Sequence, residues 1–140
     1  MKNWVFFAFI SMFFAGFTSV IAKQGLVGIS GELGLTIRTV FVSVFVLGFA
    51  LCFVSSQELA QVNSKNLFWL GLSGITTTLS WIYYYKALKL GEVSTIALID
   101  KGSAVVAILL AWLILREVIT LRMVVGAACI VLGLLIISKK

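Results

Sequence analysis

Apolar residues run along this chain in stretches of about 20, the length that crosses a hydrocarbon core, and polar residues fall between them. The runs lie at roughly 4–22, 33–54, 67–85, 94–115 and 121–138. A glycine-containing loop with Gly25, Gly28 and Gly31 follows the first run. The second is interrupted only by Arg38. The segment SSQELAQVNSKN, with Glu58 and Lys65, is the most water-compatible part of the chain. The third run ends in Trp81, Tyr83, Tyr84 and Tyr85, then Lys86 and Lys89, and aromatic residues followed by lysines suit a helix end at headgroup level. Gly91 suits a helix C-terminus and Ser94 an N-cap. The pattern predicts an all-α, polytopic membrane bundle of about five transmembrane helices, forming a single domain over residues 1–140.

Composition supports this. Of 140 residues, 61% are hydrophobic and only 11% charged, with a mean hydropathy of +1.16. So few charges cannot clothe a soluble domain in a polar shell. The net charge of +6 comes from basic residues placed singly at the ends of apolar runs. They read as interface anchors, not as a nucleic-acid patch. The first run is long enough to span, rich in Phe and followed by further spans, so it reads as a retained helix and not as a cleaved leader. Cys52 and Cys129 both lie in apolar runs and read as small apolar side chains. Histidine is absent, which excludes the common zinc sites, and no cofactor is expected. Without a nucleophile–base pair or clustered acids, an enzyme is not expected either.

The chain has no proline, so any bend must be permitted by glycine. Ala97, Ala104 and Ala111, and Gly126 and Gly133, recur at helical spacing; such small-residue faces serve packing within a subunit or a dimer seam. Five spans put the termini on opposite sides. With a cytoplasmic N-terminus, Lys2, Lys65, Arg116 and Arg122 lie on that side and Lys23, Lys86, Lys89, Lys139 and Lys140 on the other. This near balance gives the positive-inside rule almost nothing to act on. Dual insertion, with an antiparallel homodimer of inverted halves, is one reading. A single orientation set by weak cues is the other.

Charge inside the bilayer costs about 2.5 to 3.5 kcal/mol on insertion scales and marks function. Arg38 lies about a turn inside span two and Asp100 about two turns inside span four. Both spans start from the same membrane side, so Arg38, Asp100 and Lys101 share a leaflet with Lys23, Lys86 and the Tyr83–Tyr85 cluster. Asp100 and Lys101 are about 100° apart around a helix. An Asp100–Arg38 ion pair would leave Lys101 facing a cavity suited to an anionic or zwitterionic solute. Alternatively the pair locks the helices and Lys101 snorkels to the interface. Thr76, Thr77, Thr78 and Ser80 could line the cavity or bond their own backbone. Trp81 and Trp112 could stack on a solute or belong to the interface belt. Arg38, Asp100, Lys101, Tyr84, Trp81 and Thr77 are therefore the candidate binding or coupling residues. A carboxylate in low dielectric can serve proton coupling, but a nearby arginine would oppose the needed rise in the Asp100 pKa.

The segment from Lys86 to Ile137 resembles the second half of an EamA repeat of the drug/metabolite transporter superfamily. The matching parts are the helix end Tyr85-Lys86-Ala87-Leu88-Lys89, the small-residue span from Ser94, the turn Arg116-Glu117-Val118-Ile119-Thr120, and the Gly/Ala-rich span 121–138. In the first half, Ala22-Lys23-Gln24-Gly25-Leu26 and Arg38-Thr39-Val40 are similar to the loop after helix one and to helix two of that family. Most members carry two repeats. This chain looks like the single-repeat, five-helix members, with Ile99-Asp100-Lys101 as their "I-D-K", and Ser103-Ala104 stands where two-repeat members have Ser-Pro. The resemblance implies a multi-pass protein of the inner (cell) membrane. It implies a secondary carrier or exporter of a small metabolite, with two chains pairing among membrane lipid. Distant small multidrug relatives use a glutamate in helix one, and span one here holds no acid. The alternative function is a non-transporting accessory or interaction protein, with the segment around Glu58 and Lys65 as its docking loop.

Overall fold

A computed structural model describes residues 3–138. Within them the chain is helical: α1 (Asn3–Gly25), α2 (Gly31–Phe53), α3 (Ser56–Leu59), α4 (Ser64–Leu90), α5 (Val93–Asp100), α6 (Ser103–Leu115) and α7 (Leu121–Ser138). No strand occurs among the described residues. Lys2, Lys139 and Lys140, used in the topology count, lie outside the described residues.

The helices are those expected, mostly longer. α1, α2 and the stretch Val93–Leu115 are each 23 residues long and apolar enough to cross a membrane. α7 is apolar and shorter. α4 has 27 residues, about 40 Å of helix, and carries the Thr76–Thr78 and Tyr83–Tyr85 clusters that dilute its hydropathy. The architecture is an all-α membrane fold. Nearly all large apolar side chains are exposed, as suits helices whose solvent is lipid, and the buried apolar residues are Leu26, Leu35, Tyr85 and Leu88.

The fourth span departs from expectation. It is two helices joined by a turn at Lys101 and Gly102. The i→i+4 ladder gives way there to i→i+3 bonds: Lys101 N–H to Leu98 O at 3.1 Å, Gly102 to Ile99 at 2.9 Å, Ala104 to Lys101 at 3.1 Å and Val105 to Gly102 at 3.0 Å. Tightening of this kind in mid-helix marks strain or a hinge. It needs no proline. A methyl group on Gly102 would sit 2.9 Å from Leu134 Cδ1 of α7.

The chain forms two compact units, residues 21–90 in one and residues 1–20 with 91–140 in the other. In the first, α2 packs on α4. Their backbones meet at Gly31, where a Cβ would lie 2.9 Å from Tyr85 O. The turn before α2 uses Gly28 at φ +78°, which L side chains rarely adopt. Ser30 caps α2 by accepting from the Leu33 N–H. In the second unit, α7 packs on α5 and α6. Gly126 and Gly133 make no close approach within it, since a Cβ on either meets nothing within 4 Å.

Candidate functional site

In the first unit, two lysines clamp the α1–α2 loop to the end of α4. Lys23 Nζ donates to the Leu88 carbonyl, and Lys89 Nζ donates to the Leu26 carbonyl at 3.0 Å. Helix C-termini offer carbonyls without helical partners, and cations suit them. Lys86 pairs with Glu32 at 3.4 Å, linking the first turn of α2 to α4. Their positions at the ends of apolar runs predict interface anchors, and in the structure they are bound within the fold. The missed signal is that α2 starts where α4 ends, so Glu32 faces a lysine-rich helix end.

This frame holds Arg38 over the ring of Trp81, with the guanidinium carbon 4.2 Å from the ring centroid, and 5.9 Å from that of Tyr85. Both aromatic residues lie on α4, one turn apart, so they share one face of the helix. Tyr85 is buried, and Tyr84 packs beside it with ring centroids 6.5 Å apart. A guanidinium over an indole ring is stabilised by about 2 kcal/mol where water is excluded. That offsets much of the cost of placing it in hydrocarbon. It does not satisfy the N–H groups, which lie in the guanidinium plane. Arg38 Nη1 is buried and has no hydrogen-bond partner. An unmet buried donor costs about 1 to 3 kcal/mol, and an oxyanion presented edge-on would relieve it.

The hydroxyls of α4 are partly spent. Thr76 donates to the carbonyls of Leu72 and Ser73, and Thr78 to that of Gly74 at 2.9 Å. Thr77 is exposed on the same helix.

Asp100 and Lys101 belong to the second unit and sit at the α5–α6 break. Their side chains pair at 3.8 Å, both about half-exposed. The sequence suggests a pair between Asp100 and Arg38. Within its own unit Asp100 has Lys101 as a partner, and within the other unit Arg38 has Trp81. A broken helix holds charged groups beside exposed helix ends, an arrangement that membrane carriers use at binding sites. Trp112 stands near the end of α6 and lines a hollow of about 200 Å³ with Ala107, Val118 and Met123. That place fits an interface residue.

No group of three or more metal-ligating acids, cysteines or histidines occurs among the described residues.

Two comparisons bear on this arrangement. The sequence profile of the EamA-like transporter family matches residues 2–139. A protein of Sinorhizobium sp. named "Uncharacterized transporter in cobO 3'region" is 32% identical over 137 residues, covering 98% of this chain and 97% of that protein. No solved structure matches.

Proposed function

The chain belongs to the EamA-like transporter family of membrane proteins, and from that premise we propose that it carries a small anionic or zwitterionic metabolite across the inner membrane, with Arg38 as the group that recognises the anion. The carrying observation is the buried Nη1 of Arg38, held on Trp81 and lacking an acceptor. A solute carboxylate or phosphate supplies that acceptor, and the indole keeps the guanidinium oriented while the site is empty. Tyr84 and Thr77, on the same helix as Trp81, supply further polar contacts to the rest of the solute. Asp100 and Lys101 form a second charged station, on the broken span. Their mutual pairing lets a zwitterion exchange partners there without leaving a lone charge in lipid.

Gly126 and Gly133, with open space over both, support a second copy packing against α7. With near-balanced lysines and arginines, that copy inserts in the opposite sense and gives an inverted pair of five-span halves. The accessory-protein reading has less support, because the segment around Glu58 is short and closed on itself by its capping box.

The test is flux in proteoliposomes across a matched panel: carboxylate solutes, their uncharged amides and organic cations. The proposal expects carboxylates to be moved and their amides to be rejected. Equal flux of acid and amide, or movement of cations alone, overturns it.

A further inference from the structure

A trough of about 640 Å³ runs between α2 and α4, lined by Leu35, Thr39, Val44, Leu47, Thr78 and Ile82, with Glu32 at one end. We infer that it seats one acyl chain of a zwitterionic aminophospholipid, whose headgroup docks on the Glu32–Lys86 pair.

The trough is separate from the Arg38 site. Its α2 residues recur every three to four positions from Glu32 to Leu47, one helical face. Arg38 lies roughly 140° around the helix from Ser43, which is in the middle of that face.

Its threonines offer little to a polar solute. Thr36 donates its hydroxyl to Glu32 O, Thr39 to Leu35 O and Thr78 to Gly74 O, each within its own helix. With the protons turned into the backbone, these side chains are nearly apolar walls. Ser43 adds one small hydroxyl to a lining of Val, Leu and Ile. A sugar or amino acid here would leave its own polar groups unmet, whereas a hydrocarbon chain has none. From Glu32 to Leu47 the trough covers about 22 Å of helix, more than the roughly 15 Å hydrocarbon depth of one leaflet, and so accepts a whole extended chain.

The headgroup end selects by charge. Glu32 and Lys86 are 3.4 Å apart, and about half of each side chain is exposed. A primary ammonium donates to Glu32 while the phosphate accepts from Lys86, so the two ion pairs close into a four-charge ring. Choline keeps the charge but has no N–H to donate. Phosphatidylglycerol has no cation and sets its phosphate against the Glu32 carboxylate.

The experiment is native mass spectrometry of the purified chain with phosphatidylethanolamine, phosphatidylcholine and phosphatidylglycerol of identical acyl chains at equal concentration. The expected result is one retained lipid per chain, with phosphatidylethanolamine favoured about fivefold, as one added hydrogen bond would give. Glu32→Gln should remove the preference for ethanolamine over choline while a lipid is still retained. Lys86→Gln should weaken both alike. Val44→Trp fills the trough and should abolish retention. If Val44→Trp fails to insert, Glu32→Gln decides alone. Equal retention of the three lipids by the wild type, a preference that survives Glu32→Gln, or an occupant of the trough that proves to be a second copy overturns the inference.

Discussion

A single arginine in an apolar run is conspicuous in any sequence, and Arg38 was legible as a functional candidate for that reason alone. Its contact with an aromatic ring is not legible there, because a sequence displays charge and not the faces that meet. The structure stacks Arg38 on Trp81 at 4.2 Å, because the contact depends on which faces of α2 and α4 meet. Those faces are set by Gly31, whose missing side chain lets the α2 backbone reach Tyr85 O. Two outcomes follow at this scale. Trp81→Leu removes the platform but keeps the volume apolar, and solute affinity should fall roughly tenfold as about 1 to 2 kcal/mol of cation–π orientation is lost, read as a rise in the flux KM. Trp81→Phe should retain part of it. Gly31→Ala places a methyl group 2.9 Å from a backbone oxygen that cannot turn aside. It should destabilise the α2–α4 pair by about 1 to 3 kcal/mol, visible as a lower Tm in detergent, with little change if that contact is unimportant.

The helices themselves were the most readable part of the sequence. Runs of apolar residues and their flanking lysines and glycines placed the long helical stretches within a few residues, except that α4 extends to Leu90, and three of these stretches are long and apolar enough to cross a membrane. Hydropathy cannot report a break that costs no hydropathy. The turn at Lys101 and Gly102 replaces only the register of backbone bonds, and its one sequence trace is a glycine beside two charges. The polar segment gave the reverse case. Its capping box, Ser55 with Glu58, is carried by the Ser-x-x-Glu spacing. The Ser55 N–H donates to Glu58 Oε2 at 2.8 Å, and this bond, then the one from the Ser55 hydroxyl, holds the Glu58 carboxyl below the usual glutamate range. A carboxylate with a depressed pKa stabilises its fold fully above the ordinary value, near 4.3. It loses that contribution as pH falls through the depressed one. The cap should therefore be intact from about pH 5 upward, above the ordinary glutamate value, and open only in stronger acid. The Ser55 amide resonance in a pH titration reports it, and Glu58→Gln, which removes the titrating carboxylate, should abolish the transition. Opening at or above the ordinary glutamate pKa would contradict the assignment.

For the whole molecule, composition alone made a membrane protein unavoidable, and family membership makes it a transporter of EamA-like type. The proposal of dual insertion and an inverted pair rests on a weaker signal, the lack of bias among lysines and arginines. Three of those residues, Lys23, Lys86 and Lys89, are bound to carbonyls or to Glu32 in the fold. Clamping of this kind gives their placement a structural reason beside a topological one, and the proposed dual insertion expects the two orientations to be close in energy. A single cysteine at Gln61, with Cys52 and Cys129 replaced, should react with an impermeant thiol reagent from both faces of inside-out and right-side-out vesicles. Reaction from one face only would rule out dual insertion and leave the solute site untouched. The proposed solute site rests on the buried Arg38 Nη1, which has no acceptor. Carboxylate flux by Arg38→Lys, measured beside the wild type at equal insertion, tests this most directly. Lysine keeps the charge but loses the planar fork and the stack. Flux should fall at least tenfold, in line with a charge-assisted hydrogen bond of about 1.5 to 3 kcal/mol; undiminished flux in that variant would contradict the account.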